Sequence, residues 1–174
     1  MTTTTVMLTA DQIQKRIRGL AAEIEQDYGA GEEIHLVGVL KGGFMFMADL
    51  VRSMSTRVTL DFMAVSSYGK ETTSSGQVRV LKDLDSNVEG RHVIIVEDIV
   101  DTGLTLHYLQ DLLKARAPRS FRTACLLSKP SRRKVNVAVE YTGFTIEDKF
   151  VVGYGLDYAE KYRNLPYIAV LGDS

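Results

Sequence analysis

The sequence predicts an α/β fold, a mostly parallel sheet with helices on both faces, from two observations. Apolar runs of strand length recur along the chain, and several end in glycine or acidic residues that lead into a helical pattern. The clearest run, Val93 to Val96, is β-branched throughout and shows no polar alternation. That pattern is typical of a central parallel strand covered on both faces. We therefore expect a single domain over residues 1–174, a length that suits one hydrophobic core.

The composition is that of an ordinary globular protein, with 45% hydrophobic residues, 25% charged residues and a formal net charge of -1. Because there is no excess of basic residues, nothing calls for a nucleic-acid partner or an anionic membrane. The one cysteine, Cys125, lies in an apolar run and is expected to be a buried thiol rather than a nucleophile. No apolar stretch approaches membrane length and no signal sequence opens the chain, so we expect a cytoplasmic protein.

Hydrophobic periodicity and turn residues delimit the elements. Thr9-Ala10-Asp11-Gln12 has the form of a capping box and starts a helix that runs to about Tyr28. The remaining predicted elements are, in order, strand 34–40, helix 44–54, strands 58–65, 78–81 and 93–96, a helix that follows Thr105 and ends near Pro118, strand 121–127, a short strand at Phe150 and strand 167–171. In the helix after Thr105, the side chains expected on the solvent side are His107, Gln110, Asp111 and Lys114.

The most informative stretch follows the central strand. Two carboxylates, Glu97 and Asp98, precede a short turn with hydroxyl side chains, and a helix begins after it; the turn residues are Asp101, Thr102, Gly103, Leu104 and Thr105. Backbone N–H groups at a helix N-terminus bind anions, and ligands of open α/β sheets bind at this edge. A phosphorylated sugar would use both parts, because the cradle takes the phosphate and the acidic pair accepts hydrogen bonds from sugar hydroxyls. Divalent metal would neutralise the remaining charge.

The alternative for these acids is that they are solvated strand-end charges, with Asp101 as a helix cap or turn residue. Asp-Thr-Gly also occurs in aspartic proteases, but those are all-β and the helix that follows here argues against them.

The stretch Val-Glu-Asp-Ile-Val-Asp-Thr-Gly-Leu-Thr, residues 96–105, resembles the phosphoribosyl pyrophosphate (PRPP) signature of the type I phosphoribosyltransferases, in the form used by their purine branch. The resemblance implies the type I phosphoribosyltransferase fold, with a core at about 34–154, a small hood from the N- and C-terminal segments, and a mobile loop at about 66–77. It also implies Mg²⁺ as cofactor, with Glu97, Asp98 and Asp157 as metal ligands and Asp101 as the general acid/base near N7 of the purine.

Two further segments match the family. Lys41-Gly42-Gly43, after a buried strand, is similar to the pyrophosphate loop, which implies a cis peptide between Leu40 and Lys41. A plain turn explains such a pattern about as often. Ser67 and Tyr68 match the pair that opens the family's mobile lid; a flexible hairpin loop is the alternative. Through the resemblance, the PRPP-binding residues are Lys41, Gly42, Ser67, Tyr68, Glu97, Asp98, Asp101, Thr102, Gly103, Leu104, Thr105 and Arg163.

The base-binding residues are also implied by the resemblance. Lys129 stands after a buried strand and matches the lysine that donates to the purine 6-oxo group, whereas the rest of its basic loop is interpreted as solvated. Phe150, in Phe-Val-Val-Gly-Tyr-Gly-Leu-Asp-Tyr, matches the residue that stacks on the purine, although core packing is the simpler alternative for a lone phenylalanine. The full purine-binding set is Ile99, Lys129, Phe150, Val151 and Asp157.

The sequence therefore predicts a purine salvage enzyme that transfers the 5-phosphoribosyl group from PRPP to N9 of hypoxanthine or guanine. A xanthine-preferring transferase and a PRPP-binding regulatory protein of the same fold are the alternatives. The relative preference for the three bases stays open, as does the choice between direct and water-mediated metal ligands. The family suggests a homodimer or a homotetramer.

Overall fold

The computed structural model describes residues 3–67 and 78–172, which form two β-sheets and three α-helices. The strands are β1 (Thr3–Leu8), β2 (Glu33–Leu40), β3 (Arg57–Ser67), β4 (Val78–Lys82), β5 (His92–Val100), β6 (Ser120–Ser128), β7 (Tyr141–Thr145), β8 (Val151–Val152) and β9 (Ile168–Gly172). The helices are α1 (Ala10–Tyr28), α2 (Phe44–Arg52) and α3 (Leu104–Lys114). A short 3-10 turn spans Pro130–Arg132.

The main sheet has the strand order β4-β3-β2-β5-β6-β7, and only β4 runs antiparallel to its neighbour. The predicted mostly parallel sheet is therefore confirmed. Its central strand alternates between the two faces: Ile94 and Val96 join one apolar cluster, and Val93 and Ile95 join the other. All four side chains have no exposed surface, which explains why their run shows no polar alternation.

The helices cover opposite faces of this sheet. Apolar side chains of α1 and α2 belong to one cluster, and those of α3 belong to the other. The predicted capping box at Thr9 is present, with Gln12 N donating to Thr9 Oγ1 over 3.2 Å and Thr9 N donating to Gln12 Oε1 over 2.8 Å. The five apolar residues at helical spacing in α1 are buried, namely Ile13, Ile17, Leu20, Ala21 and Ile24. Each larger one contributes roughly 1.5–3 kcal/mol by its burial.

The second sheet has the order β1-β9-β8, and its strand β8 lies within the range of about 34–154 that was expected for the core. All its pairs are antiparallel. Because β8 is an edge strand, no strand of the described residues pairs with its outer side. No helix in residues 3–67 and 78–172 is long and apolar enough to span a membrane.

Several boundaries differ from those predicted. β5 runs on to Val100, pairing Ile99 with Leu127 and Val100 with Ser128, so Glu97 and Asp98 lie inside the strand rather than after it. β7 was not predicted, and Phe150 directly precedes β8 instead of lying in it. Gln110 was placed wrongly on the solvent side. It is only 5% exposed, because the segment that leads into β7 covers it. Its Nε2 donates to Ala138 O over 2.9 Å and to Thr123 Oγ1 over 3.0 Å.

Candidate active site

The turn between β5 and α3 forms an open cradle. β5 ends at Val100, the chain bends through Asp101 and Thr102, and Gly103 takes a left-handed conformation with φ +85°. Glycine adopts this conformation without the steric cost that a side chain would add. The turn borders a cavity of about 220 Å³, lined by residues 97–103 with Thr105 and Leu106. The N–H groups at the start of α3, of which Leu104 N already donates to Thr102 Oγ1 over 3.3 Å, make this cavity suited to an anion such as phosphate.

Two acids lie beside the cradle. Glu97 is buried and Asp98 is partly buried, and no lysine or arginine of the described residues lies within ion-pair distance of either carboxylate. Burial raises the pKa of Glu97 well above its usual value, and the neighbouring charge of Asp98 adds to the rise. Burial also raises the pKa of Asp98, although the N–H of Ile99, which donates to its Oδ1 over 2.7 Å, and the charge of Arg163 oppose the rise. Hydrogen bonds from ligand hydroxyls, or a bound cation, would stabilise the charged form of these two carboxylates.

The turn after β2 meets the same acids. The peptide between Leu40 and Lys41 is cis, as the resemblance implied. Gly42 lies so close to Asp98 that a Cβ added at Gly42 would be 1.9 Å from Asp98 Oδ2. A Cβ added at Gly155 would in turn be 2.3 Å from the carbonyl oxygen of Gly42. Three segments far apart in sequence thus meet closely, Gly42 against the Asp98 side chain and Gly155 against the Gly42 backbone, and only glycine fits at both contacts.

The segment after β8 brings Asp157 and Arg163 to this region. Arg163 Nη1 donates to Gly155 O over 2.6 Å, and its Nη2 lies 3.5 Å from Asp157 Oδ1. The other oxygen of Asp157 accepts from Glu160 N over 2.8 Å. Arg163 Nε is buried and has no hydrogen-bond partner within the described residues, so it is an unsatisfied donor in this structure. Lys41 Nζ contacts Glu160 Oε2 over 3.1 Å, which places this lysine on the same side.

The side chains assigned to the base lie at the next strand end. Lys129 follows β6 and is only 6% exposed, with its Nζ 3.7 Å from Asp148 Oδ1. Phe150 is 53% exposed, which rules out the simple core-packing alternative, and its ring meets that of Tyr158 edge to face with centroids 5.8 Å apart. Val151 lies in the edge strand β8 and pairs only with β9 among the described strands. An exposed aromatic face, a buried cation and a strand edge suit a flat heterocycle.

Three charged residues that the sequence did not single out join these groups. Arg132 donates from Nε to Asp101 Oδ1, and its Nη1 lies 3.3 Å from Asp148 Oδ2. Asp148 in turn contacts Lys129, so an alternating chain of charges connects the proposed catalytic acid with the base-site lysine. Arg133 binds backbone oxygens of both loops. The only feature of the sequence that pointed to these residues was the basic run at 132–134. A run of charges alone does not distinguish side chains that connect two loops from side chains in a solvated loop.

The predicted lid falls mostly outside the described residues. Ser67 is the last residue of β3, where its backbone pairs with Val78, whereas Tyr68 and the segment to residue 77 lie beyond the part of the chain that is described.

The chain is similar to known proteins of one family. The family described as "Phosphoribosyl transferase domain" matches residues 7–159, so the chain belongs to the phosphoribosyltransferase family. Within that family, the chain is 51% identical over 166 residues to the hypoxanthine-guanine phosphoribosyltransferase of Bacillus subtilis (strain 168), covering 95% of this chain and 92% of that protein. It is 52% identical over 171 residues to the enzyme of the same name from Mycobacterium tuberculosis (strain ATCC 25618 / H37Rv), covering 95% of this chain and 85% of the relative.

Solved structures give the same result. A crystal structure of a hypoxanthine-guanine phosphoribosyltransferase from Bacillus anthracis superposes with a TM-score of 0.92 at 49% identity, covering 97% of this chain and 98% of that one. The type I phosphoribosyltransferase fold predicted from residues 96–105 is therefore confirmed.

Proposed function

We propose that this chain transfers the 5-phosphoribosyl group of PRPP to N9 of hypoxanthine or guanine, which gives IMP or GMP and releases pyrophosphate. The observation that carries the proposal is the meeting of three loops at neighbouring strand ends. The turns after β2, β5 and β6 bring an anion cradle, an acidic pair and a buried lysine to one edge of the sheet. The relatives named hypoxanthine-guanine phosphoribosyltransferase support the same reaction.

The PRPP side is assigned as follows. The backbone of Thr102, Gly103, Leu104 and Thr105 cradles the 5-phosphate at the start of α3. Glu97 and Asp98 accept hydrogen bonds from the two ribose hydroxyls, which gives the buried Glu97 carboxylate a donor. The pyrophosphate lies toward the segment with Lys41, Gly42 and Arg163, where two cationic side chains oppose its charge.

The base side uses the next loop. Lys129 donates to the 6-oxo group. This role discriminates against adenine, because the N–H groups of its 6-amino group are donors and cannot accept a hydrogen bond from the lysine. Phe150 stacks on the ring, and the backbone of Val151 at the strand edge bonds the ring edge. Ile99 and Asp157 complete the purine site.

Asp101 is assigned the proton transfer at N7. As pyrophosphate leaves, positive charge develops at C1 of the ribose, and a carboxylate near the base stabilises that charge and exchanges the proton. Ser67 and Tyr68 belong to a lid that excludes water from this cation. The Asp101 carboxylate accepts a hydrogen bond from Arg132 in this structure, so an entering base must compete with Arg132 for that carboxylate.

The donor set fits a magnesium ion that is held jointly with the substrate. Among the described residues, no three His, Cys, Asp or Glu side chains converge closely enough to hold a metal by themselves. Mg²⁺ is commonly bound by one or two carboxylates together with substrate phosphates, and the carboxylates of Glu97, Asp98 and Asp157 suit that arrangement. The ion would neutralise charge on the polyphosphate when bound.

One assay tests the proposal. Purified protein is incubated with PRPP and Mg²⁺ and offered each of five bases, namely hypoxanthine, guanine, xanthine, adenine and uracil, with nucleotide formation followed spectroscopically. We expect turnover with hypoxanthine and guanine, and loss of turnover in EDTA that Mg²⁺ restores. Preferred turnover of xanthine would favour the xanthine-specific alternative. Tight PRPP binding without product from any base would favour the regulatory alternative.

A matched variant tests the role of Asp101. Asp101→Asn keeps the shape of the turn, so PRPP affinity measured by calorimetry should be nearly normal. Loss of the carboxylate should lower kcat by about 10²-fold or more, the scale of a lost general acid/base. An unchanged single-turnover rate would leave Asp101 as a turn residue only.

We further propose that the enzyme acts in the cytoplasm as a homodimer or homotetramer. Its single cysteine is buried and unpaired, which suits a reducing compartment, and large apolar side chains such as Leu60 and Leu81 are 46% and 61% exposed. Light scattering coupled to gel filtration would give the oligomeric state, and cell fractionation would give the compartment.

A further inference from the structure

Arg133 connects the loop that carries Asp101 to the loop that carries Lys129. Its Nη1 donates to Asp101 O over 2.8 Å and to Val100 O over 2.9 Å, and it lies 3.4 Å from Lys129 O. Its Nη2 donates to Ser128 Oγ over 2.8 Å. The guanidinium therefore binds the ends of two neighbouring strands at once.

The surrounding backbone completes this connection. Lys129 N donates to Val100 O over 2.9 Å, and Lys134 N donates to Thr102 O over 2.9 Å. Val100 O thus accepts from both a backbone N–H and the guanidinium. No carboxylate of the described residues lies within ion-pair distance of Arg133, so carbonyl dipoles at the strand ends balance its charge. Only arginine offers several donors in one rigid plane; lysine supplies a single point charge on a flexible stem.

We propose that Arg133 is a positioning residue that fixes the Asp101 carboxylate relative to the Lys129 ammonium. It thereby sets where the purine ring lies with respect to the group that exchanges its proton. Asp101 and Lys129 are 28 residues apart in sequence and lie on different loops, and Arg133 is the side chain that binds both backbones. The inference rests on the proposed function, since it concerns the geometry of the same reaction.

The experiment compares Arg133→Met and Arg133→Lys with wild type and with Arg116→Met. Arg116 is the matched control, because its Nη2 donates to Asp83 Oδ2 over 2.7 Å far from the site. For each protein the melting temperature, the Kd of PRPP with Mg²⁺ by calorimetry, and the kcat and KM for hypoxanthine are measured.

We expect Arg133→Met to keep the PRPP Kd within about threefold, because α3 still presents its amides. Its kcat should fall by about 10²-fold and its KM for hypoxanthine should rise at least about tenfold, since a displacement near 1 Å between reacting groups has that scale. Arg133→Lys should be intermediate, and it serves as the decisive variant if Arg133→Met does not fold. Arg116→Met should match wild type in all kinetic parameters.

Two results would overturn the inference. If both Arg133 variants keep kcat and KM close to wild type, Arg133 only closes a loop. If PRPP affinity and the base parameters fall by the same factor, its role is general support of the fold. Failure of the proposed function gives a different pattern, because wild type and Arg116→Met would then form no nucleotide from any base.

Discussion

The contact between Gly42 and Asp98 gives the sharpest prediction, because the distances show how closely a methyl group at Gly42 would approach the Asp98 carboxylate. In Gly42→Ala the new Cβ would lie 1.9 Å from Asp98 Oδ2 and 2.8 Å from its Cγ. Cβ atoms essentially never approach another heavy atom below 3.0 Å, so the carboxylate must move by more than 1 Å. Movement of the turn itself is restricted, because Gly155 packs against the carbonyl of Gly42.

Moving Asp98 has a kinetic cost and a smaller cost in stability. Its Oδ1 accepts from Ile99 N over 2.7 Å, a bond that rotation of the carboxylate would break. Misplacement of a substrate-binding group by about 1 Å lowers the rate by roughly 10²-fold, so kcat/KM for PRPP should fall by about that factor. The free energy of unfolding should fall by about 1–3 kcal/mol, the usual effect of overpacking.

Gly19→Ala is the matched control for this variant. Gly19 lies inside α1, where a new Cβ would meet only Arg16 Nη1 at 3.5 Å, an ordinary contact. Alanine in a helix interior is about 0.5–1 kcal/mol more favourable than glycine, so this variant should be slightly more stable and fully active. The assay is steady-state kinetics with PRPP varied, together with thermal denaturation of both variants. Wild-type kcat/KM for PRPP in folded Gly42→Ala would refute the assignment of Asp98 to PRPP binding.

Three further outcomes are expected. Lys129→Met should lower kcat/KM for hypoxanthine and guanine at least tenfold without unfolding, because a charged hydrogen bond is worth about 1.5–3 kcal/mol; wild-type rates on both bases would make Lys129 a loop lysine. Burial raises the pKa of the Cys125 thiol to about 12, so it should react with Ellman's reagent only after unfolding, and rapid reaction of the native protein would contradict this. Burial acts to raise the pKa of Asp61, but backbone N–H groups of Ser86, Phe62 and Asp85 outweigh it and lower the pKa below its usual value. That stabilisation is present above the unfolded pKa near 3.9 and is lost as the pH falls through the lower folded value, so Asp61→Asn should be about 1–3 kcal/mol less stable at pH 7 and the difference should shrink below pH 4. A pH-independent difference in urea denaturation would contradict the assignment.

Most features that depend on residues close in sequence were predicted correctly. The buried faces of α1 and β5 follow from the spacing of apolar residues, and the cap at Thr9 follows from residues three apart. Gly103 lies in the turn that was predicted before the helix, at a position with positive φ. The main error of this kind, Gln110, arose because periodicity cannot show that the segment before β7 covers that face of α3.

Contacts between distant segments were beyond the reach of the sequence. Asp148, Arg132 and Arg133 carry no local pattern that separates them from solvated charges, and each has a partner 16 or more residues away. Arg132 and Arg133 are adjacent yet differ in role: the first pairs with the carboxylate of Asp101, and the second binds its backbone. Only the position of each guanidinium at the strand ends distinguishes them.

The order of the strands explains why one edge of the sheet can serve all parts of this reaction. The chain leaves β2 through α2, on one face, and leaves β5 through α3, on the other, so β2 and β5 mark the point at which the winding of the sheet reverses. Connections that diverge to opposite faces leave a crevice between their first turns. The register pairs Gly38 with Val96 and Val100 with Ser128, which sets the turns after β2, β5 and β6 side by side. Three successive loops can therefore bind pyrophosphate, ribose phosphate and base, with the ribose phosphate between the group that leaves and the group that replaces it. Under our proposal, a residue that binds one loop to the next, as Arg133 does, acts on the alignment of the reactants rather than on either binding site alone.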